Sequence, residues 1–286
     1  MTEVAPERGR GTLYVVSTPI GNLDDMTARA VDVLRSASII AAEDTRVTRK
    51  LCSRFEIETP LSSYHAHSGT GRTAELLMRL DAGDDVALVT DAGTPLVSDP
   101  GDQLVAAWIE QGGSVVPVPG ASSVLAALVA SGIPAARWGF EGFLPRKGRE
   151  RALRLERIAS DDRATVLFES PGRTADTLQD LVDGCGGERP AAMARELTKR
   201  YEEIRRGSLA ELAASAHSAP PRGEVVLVVA GATPEDVAAL ELDAGRARVE
   251  RLVAEGVKRS AAARLVAEDT GLPRRELFAT DGDREG

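Results

Sequence analysis

The stretch VALVTDAGTPLVSDPG at residues 86–101 constrains the fold of this chain more than any other segment. A four-residue apolar run halts at a polar pair and passes into glycine- and proline-rich chain. Such a run, apolar without alternation, suits a parallel strand covered on both faces, and sheets of this kind take ligands at the carboxyl ends of their strands. Residues 91–99 are therefore expected to line a pocket. Gly93 allows close backbone approach, Pro95 stiffens the turn, and exposed N–H groups can hold polar ligand atoms. The competing reading is an ordinary strand-to-helix loop.

At 286 residues the chain is long for a single core, so two domains are expected. Its hydrophobic content of 43%, in alternating strand-like and helix-like segments, indicates an α/β protein. Residues 1–10 lack the apolar centre of a signal peptide and no run reaches membrane-span length, which makes the cytoplasm the expected location and a membrane partner unexpected. Cys52 and Cys185 are too few for a disulfide framework and read as reduced thiols.

The net charge of −9 argues against a protein coated in nucleic acid. Locally the balance reverses. Arg146, Lys147, Arg149, Arg151, Arg154 and Arg157 face only Glu150 and Glu156 across residues 145–157. That cluster reads either as a phosphate-binding patch or as a solvated helix with internal ion pairs.

The apolar periodicity predicts strands at residues 12–17, 38–42, 86–89 and 114–118, with helices from about residue 24, at 73–80, at 103–111 and to about 131. Residues 133–145, rich in proline and glycine, read as a crossover between domains. The second half is expected to open with the basic helix and continue with strands at 164–168, 191–195 and 224–229, beside a hairpin arm at 201–208. From residue 233 the chain turns Ala-, Glu- and Arg-rich, with two expected helices and a tail at 278–286. The domain boundaries drawn are 1–134, 135–232 and 233–286.

Three superficial motifs fail on context. GTGRTA at 69–74 fits a dinucleotide fingerprint but follows the polar SYHAHS rather than an apolar strand. His65 and His67 lack companion ligands, so no metal is expected. Ser122 and Ser123 sit in no nucleophile elbow, which removes a triad hydrolase.

Taken in order, TPIGNL (18–23), AAEDTR (41–46), DAGTP (91–95), SDPG (98–101), PVPG (117–120), EGFLP (141–145), ARELT (194–198) and GE (223–224) carry a resemblance. The chain is similar to the ribosomal RNA small subunit methyltransferase I family, 2′-O-methyltransferases of a decoding-region cytidine within the tetrapyrrole methylase superfamily. Their number, order and spacing make the match specific, from about residue 11 to 231 and more weakly to 278. The resemblance implies two α/β domains of the tetrapyrrole methylase type with S-adenosylmethionine in the cleft between them, and a homodimer; the residues of the tail themselves read as a small helical C-terminal module or a peripheral helical pair. By motif, the cofactor positions are Pro19, then Asp91, Ala92, Gly93, Thr94 and Val97, then Ser122 and Ser123. Ser170 and Leu197 are expected to close the pocket from the second domain. Asp91 has a second reading as a support of the loop.

Methyl transfer to a ribose hydroxyl needs alignment and removal of a proton, and no metal. Glu43, Asp44, Arg46, Glu196 and Lys199 are the candidates to take that proton or anchor phosphate, against the plainer reading that Asp44 and Arg46 pair with each other. Arg146, Lys147 and Arg149, with Lys258 and Arg259 in the tail, are the expected contacts to small-subunit ribosomal RNA or the assembled subunit. Two rival functions remain: a superfamily enzyme methylating a small molecule such as a tetrapyrrole, and a non-catalytic ribosome assembly factor with a vestigial pocket. A DNA-binding reading rests on the tail alone, too small a fraction of the chain to carry it.

Overall fold

The computed structural model describes residues 9–65 and 68–279. Residues 1–8, His67 and the end of the tail lie outside the described residues.

The first unit is a five-stranded sheet. β1 (Thr12–Val16) leads through α1 (Ala28–Ser36) to β2 (Ile39–Ala42), and α2 (Thr45–Arg54) leads to β3 (Leu61–Ser63). α3 (Gly69–Asp81), β4 (Val86–Val89), α4 (Asp102–Glu110), β5 (Ser114–Val118) and α5 (Ser123–Ser131) complete it. The strand order is β3-β2-β4-β1-β5, and every pairing is parallel. β2 and β4 are buried along their whole length, because alternate residues feed the cores on opposite faces: Ile40, Ala42, Ala87 and Val89 on one, Ile39, Ala41, Val86 and Leu88 on the other. Neighbouring β1 and β4 send their chains to opposite sides of the sheet, so a crevice opens beyond their carboxyl ends.

The second unit opens on a strand, where a crossover leading to the basic helix was expected. Residues 133–145 contain β6 (Trp138–Phe143), an edge strand parallel to β7 (Ala164–Glu169) and joined to it by α6 (Arg149–Ser160). Gly139 and Gly142 disguised it: the register shifts between Phe140 and Gly142, and Gly142 has φ of +60°. After α7 (Thr174–Cys185), β8 (Pro190–Arg195) and β9 (Glu203–Ser208) form the expected hairpin, followed by α8 (Leu209–Ser218) and β10 (Val225–Val229). The order β6-β7-β10-β8-β9 is antiparallel except at β6·β7.

Ile20, α5 residues Val124, Ala127 and Leu128, and Val166, Ala192, Ala194, Leu197, Val226 and Val228 of the second unit share one apolar cluster, which locks the two sheets together. Three helices follow: α9 (Pro234–Ala254), α10 (Arg259–Thr270) and α11 (Arg274–Phe278), one more than expected. They enclose a separate small core of Val249, Ala262, Ala263, Val266 and Leu277. α9 also belongs to the second unit, since Leu240 packs on its core and Asp236 stands 3.5 Å from the buried Arg189 guanidinium. Among the described residues no helix is long and apolar enough to cross a membrane. Both cysteines are free and buried.

The first helix also departs from expectation. Asn22 caps a short 3-10 turn at Leu23–Asp25, and α1 starts only after Thr27, whose side chain accepts from the Ala30 N–H. Asp24 and Asp25 resemble a helical first turn in sequence, yet serve that turn instead.

Candidate functional site

A cleft of about 360 Å³ lies between the two units, within the size range of small-molecule sites. Ala92, Gly93, Thr94 and Val97 line it from the loop after β4, Ser122 and Ser123 from the start of α5, and Ser170 from the loop after β7, all as expected from sequence. Three expected residues do not line it. Leu197 is buried in the apolar cluster between the sheets, Pro19 is buried while its neighbour Ile20 faces the cleft, and Asp91 turns away to accept the Asp44 N–H at 3.0 Å. Asp91 thereby ties the loop after β4 to the start of α2. Ser98 and Asp99 line the cleft too, within the span 91–99 expected to face a pocket, whereas Ile20, Phe143, Phe168, Glu169 and Glu224 line it without having been singled out. Phe143 sits on the overlooked strand β6, and Asp99 at the limit of the span expected to face a pocket.

The loop is held in a costly shape. Leu96 and Ser98 have φ of +73° and +69°, a conformation costing roughly 1–3 kcal/mol for each such residue. On the opposite side Glu196 and Thr198 carry φ of +51° and +66°. The Thr198 hydroxyl accepts the Asn22 N–H at 3.0 Å, so the facing loops of the two units meet there. Thr94 bonds the Ser17 hydroxyl at 3.0 Å, and the Ser122 side chain caps α5. Below Ser170, the buried Glu169 carboxylate is held by Arg173 at 2.6 Å and by the Thr177 hydroxyl at 2.7 Å.

A second, polar cavity of about 440 Å³ adjoins the cleft, lined by Glu43, Tyr64, His65, Ser68, Thr73, Asp102 and Gln103. Ser98 and Asp99 line both spaces. Glu43 accepts the Thr90 hydroxyl at 2.7 Å and the Asp91 N–H at 3.3 Å. Desolvation, together with the nearby Glu43 and Asp91 charges, pushes the Asp99 carboxyl up to about 6 against the pull of the Thr90 side chain. The same burial raises Asp91.

The other candidates are engaged with one another. Asp44 caps α2 and grips Arg46 at 2.6 Å, which holds its carboxyl down at about 2, so these two residues pair as the plainer reading has it. Glu196 accepts Lys199 Nζ at 3.0 Å and the Glu224 N–H at 3.1 Å, and the latter bond is the main reason that its carboxyl is lowered. Lys199 also reaches Glu224, at 3.2 Å. Gly223 has φ of +82°, and a Cβ there would lie 2.1 Å from Glu196 Oε1 and push that side chain out of its present place.

Of the six cations in the basic segment, three are spent internally. Arg151 is bound by Asp180, Thr177 and the Pro145 carbonyl, Arg154 by Glu150 and the Glu141 carbonyl, and Arg157 by the Glu141 carboxylate. Arg146, Lys147 and Arg149 form no ion pair among the described residues. In the tail, Arg259 is paired with Glu250, whereas Lys258, at the head of α10, has no ion pair among the described residues. No group of three or more His, Cys, Asp or Glu among the described residues is arranged to hold a metal ion.

The family profile of the Tetrapyrrole (Corrin/Porphyrin) Methylases matches residues 12–213. The chain is 50% identical over 268 residues to Ribosomal RNA small subunit methyltransferase I of Synechocystis sp., covering 94% of this chain and 96% of that one. It is 45% identical over 279 residues to the protein of the same name from Pseudomonas aeruginosa, covering 96% and 98%. The fold matches that of uroporphyrin-III C-methyl transferase from Thermus thermophilus complexed with S-adenyl homocysteine, with a TM-score of 0.55 at 21% identity over 77% of this chain and 97% of that one.

Proposed function

Because the chain belongs to the ribosomal RNA small subunit methyltransferase I family of the tetrapyrrole methylases, we propose that it transfers a methyl group from S-adenosylmethionine to the 2′-hydroxyl of a cytidine ribose in small-subunit ribosomal RNA. The observation that carries this reading is the cleft at the carboxyl ends of β1 and β4, walled by the residues that the family's motifs single out.

The residues present fit the cosubstrate. A Cβ on Gly93 would touch only Ile20 Cγ2 at 3.4 Å and the Ala121 carbonyl at 4.0 Å, so that face of the loop is left open for a ligand to lie against the backbone. Ile20, Val97, Phe143 and Phe168 offer apolar walls suited to an adenosyl group, and the capped start of α5 at Ser122 and Ser123 suits a carboxylate. S-adenosylmethionine supplies a methyl group on a cationic sulfur, open to direct displacement. The chain's own tasks are to exclude water, align the acceptor oxygen and accept its proton.

Arg146, Lys147, Arg149 and Lys258 have the free charge to bind RNA phosphates. A homodimer fits the exposed apolar residues of α5, Leu125 at 51% and Val129 at 81% exposure. Mapping ribose methylation of small-subunit RNA from cells with and without this protein tests the reading: one 2′-O-methylcytidine should disappear. An unchanged map overturns it.

A further inference from the structure

Two cavities meet at one short turn. Among the described residues, the carboxylates lining the cleft are Asp99, Glu169 and Glu224, and those lining the polar cavity are Glu43, Asp99 and Asp102. Asp99 alone is common to both. Glu169 is locked under Arg173, and Glu224 holds Lys199. Among the described residues no Lys or Arg lines the polar cavity, so its acids favour hydrogen-bond donors such as sugar hydroxyls and an exocyclic amine over phosphate.

We propose that the polar cavity receives the acceptor nucleoside and that the Asp99 carboxylate accepts the proton of its ribose hydroxyl. The inference rests on the methyltransferase reading above and names the acceptor side of that same site. As the hydroxyl oxygen forms its bond to the methyl carbon, its proton passes to Asp99 and the carbon–sulfur electron pair returns to sulfur; the proton then leaves Asp99 to water.

The surroundings suit Asp99 to this task better than its neighbours. Glu43 is occupied by the Thr90 hydroxyl and the Asp91 N–H, and it lines only the polar cavity. Asp91 lines neither space. Burial, Glu43 and Asp91 disfavour the charged form of Asp99, while His65 and Asp102 across the polar cavity and Glu169 and Glu224 across the cleft are the other ionisable groups facing it. A base whose carboxyl titrates near 6 is ionised at neutral pH and stronger than an ordinary carboxylate. The left-handed Leu96 and Ser98 bring this residue to the junction.

The test uses the full-length protein and its Asp99→Asn and Asp99→Glu variants. Single-turnover methyl transfer to small-subunit RNA is followed from about pH 5 to about pH 8; the wild-type rate should rise about tenfold per pH unit to a plateau above about pH 6. Asp99→Asn should lower the plateau by about 100-fold or more and abolish the acidic limb, while Asp99→Glu keeps the limb at a reduced plateau. S-adenosylhomocysteine affinity by calorimetry should stay within about threefold of wild type, since uniform binding is not what a base supplies. In the cofactor-free protein, the carbon-13 shift of the Asp99 carboxyl should titrate near 6. The proposal is overturned if Asp99→Asn keeps its rate and acidic limb, if either variant loses S-adenosylhomocysteine binding, or if the carboxyl titrates as an ordinary aspartate. A wild-type protein that methylates no small-subunit RNA would refute the functional reading instead, with the carboxyl titration still reporting on Asp99 independently.

Discussion

Thr18 and Gly93 exchange both of their backbone hydrogen bonds, Thr18 N–H to the Gly93 carbonyl at 2.8 Å and Gly93 N–H to the Thr18 carbonyl at 3.1 Å. This antiparallel bridge ties together the loops leaving the parallel strands β1 and β4. The Thr18 hydroxyl adds a bond to the Thr90 carbonyl at 3.1 Å. The floor of the cleft is thus fixed by the chain itself before any ligand arrives, which lowers the ordering cost of binding.

Gly93→Val should therefore abolish cosubstrate binding. The residue has φ of +84°, which a branched side chain adopts at a cost of about 1–2 kcal/mol or more, and the added methyls would enter the space beside Ile20. Calorimetry with S-adenosylhomocysteine should show at least about a 100-fold loss, or nearly 3 kcal/mol, with the circular dichroism of a folded protein. Wild-type affinity in a folded variant would remove Gly93 from the binding surface.

Asp99 carries a pH signature in stability as well. Its folded-state value of about 6 lies above the unfolded value near 4, so the native state binds the proton more readily. Stability supplied by that proton is fully present below about pH 4 and is lost as pH rises through about 6. Asp99→Asn, neutral throughout, should match the wild-type melting temperature at about pH 4 and exceed it at about pH 7.5. Scanning calorimetry at the two pH values decides this; a variant less stable at the higher pH would mean that the carboxylate is anchored by favourable bonds rather than penalised by burial.

The parallel sheet was readable because β2 and β4 are short, fully buried and unalternating, and because each ends abruptly in charged or glycine-rich chain. α2 was not foreseen, although Asp44 caps it and Thr48, Leu51 and Cys52 give it a buried stripe, because four cations within ten residues mask that stripe. β6 was hidden by its glycines, and β3 by having only three residues. The cleft loop was legible as a pocket wall out to Asp99, yet what sets Asp99 apart from Asp91 was not. Nothing local distinguishes it from Asp91; what separates them is that Asp91 is turned onto the Asp44 amide whereas Asp99 reaches the junction of two cavities.

The first turns of α9 pack on the second unit, through Leu240 and Asp236. Ending the chain after Gly231 removes Asp236 and Leu240, leaving the buried Arg189 guanidinium without its half-buried carboxylate partner and the second core without Leu240. Ending it after Asp243 keeps both residues and discards most of the separate core around Val249 and Val266. The longer truncation product should bind S-adenosylhomocysteine like the parent and methylate ribosomal substrate more slowly; the shorter one should melt at a clearly lower temperature. Equal melting temperatures would show that Asp236 and Leu240 contribute nothing to the second unit.

Replacing Arg146, Lys147 and Arg149 together with Ala should weaken RNA binding and reduce the slope of log affinity against log salt by about one unit for each phosphate no longer neutralised. Arg154→Ala and Arg157→Ala should leave that slope nearly unchanged, because both side chains are already bound by Glu150 or Glu141. Filter binding across a salt series distinguishes them. A parental slope in the triple variant would assign the segment to solvent.

The most direct measurement incubates the purified protein with S-adenosylmethionine carrying a labelled methyl group and small-subunit RNA, free or in assembled subunits, then digests the RNA to nucleosides for mass spectrometry. The expected product is labelled 2′-O-methylcytidine at a single position, formed without added metal and lost in Gly93→Val. Label on a base carbon or nitrogen, on a tetrapyrrole offered in competition, or on no RNA at all would contradict ribose methylation as the activity of this chain.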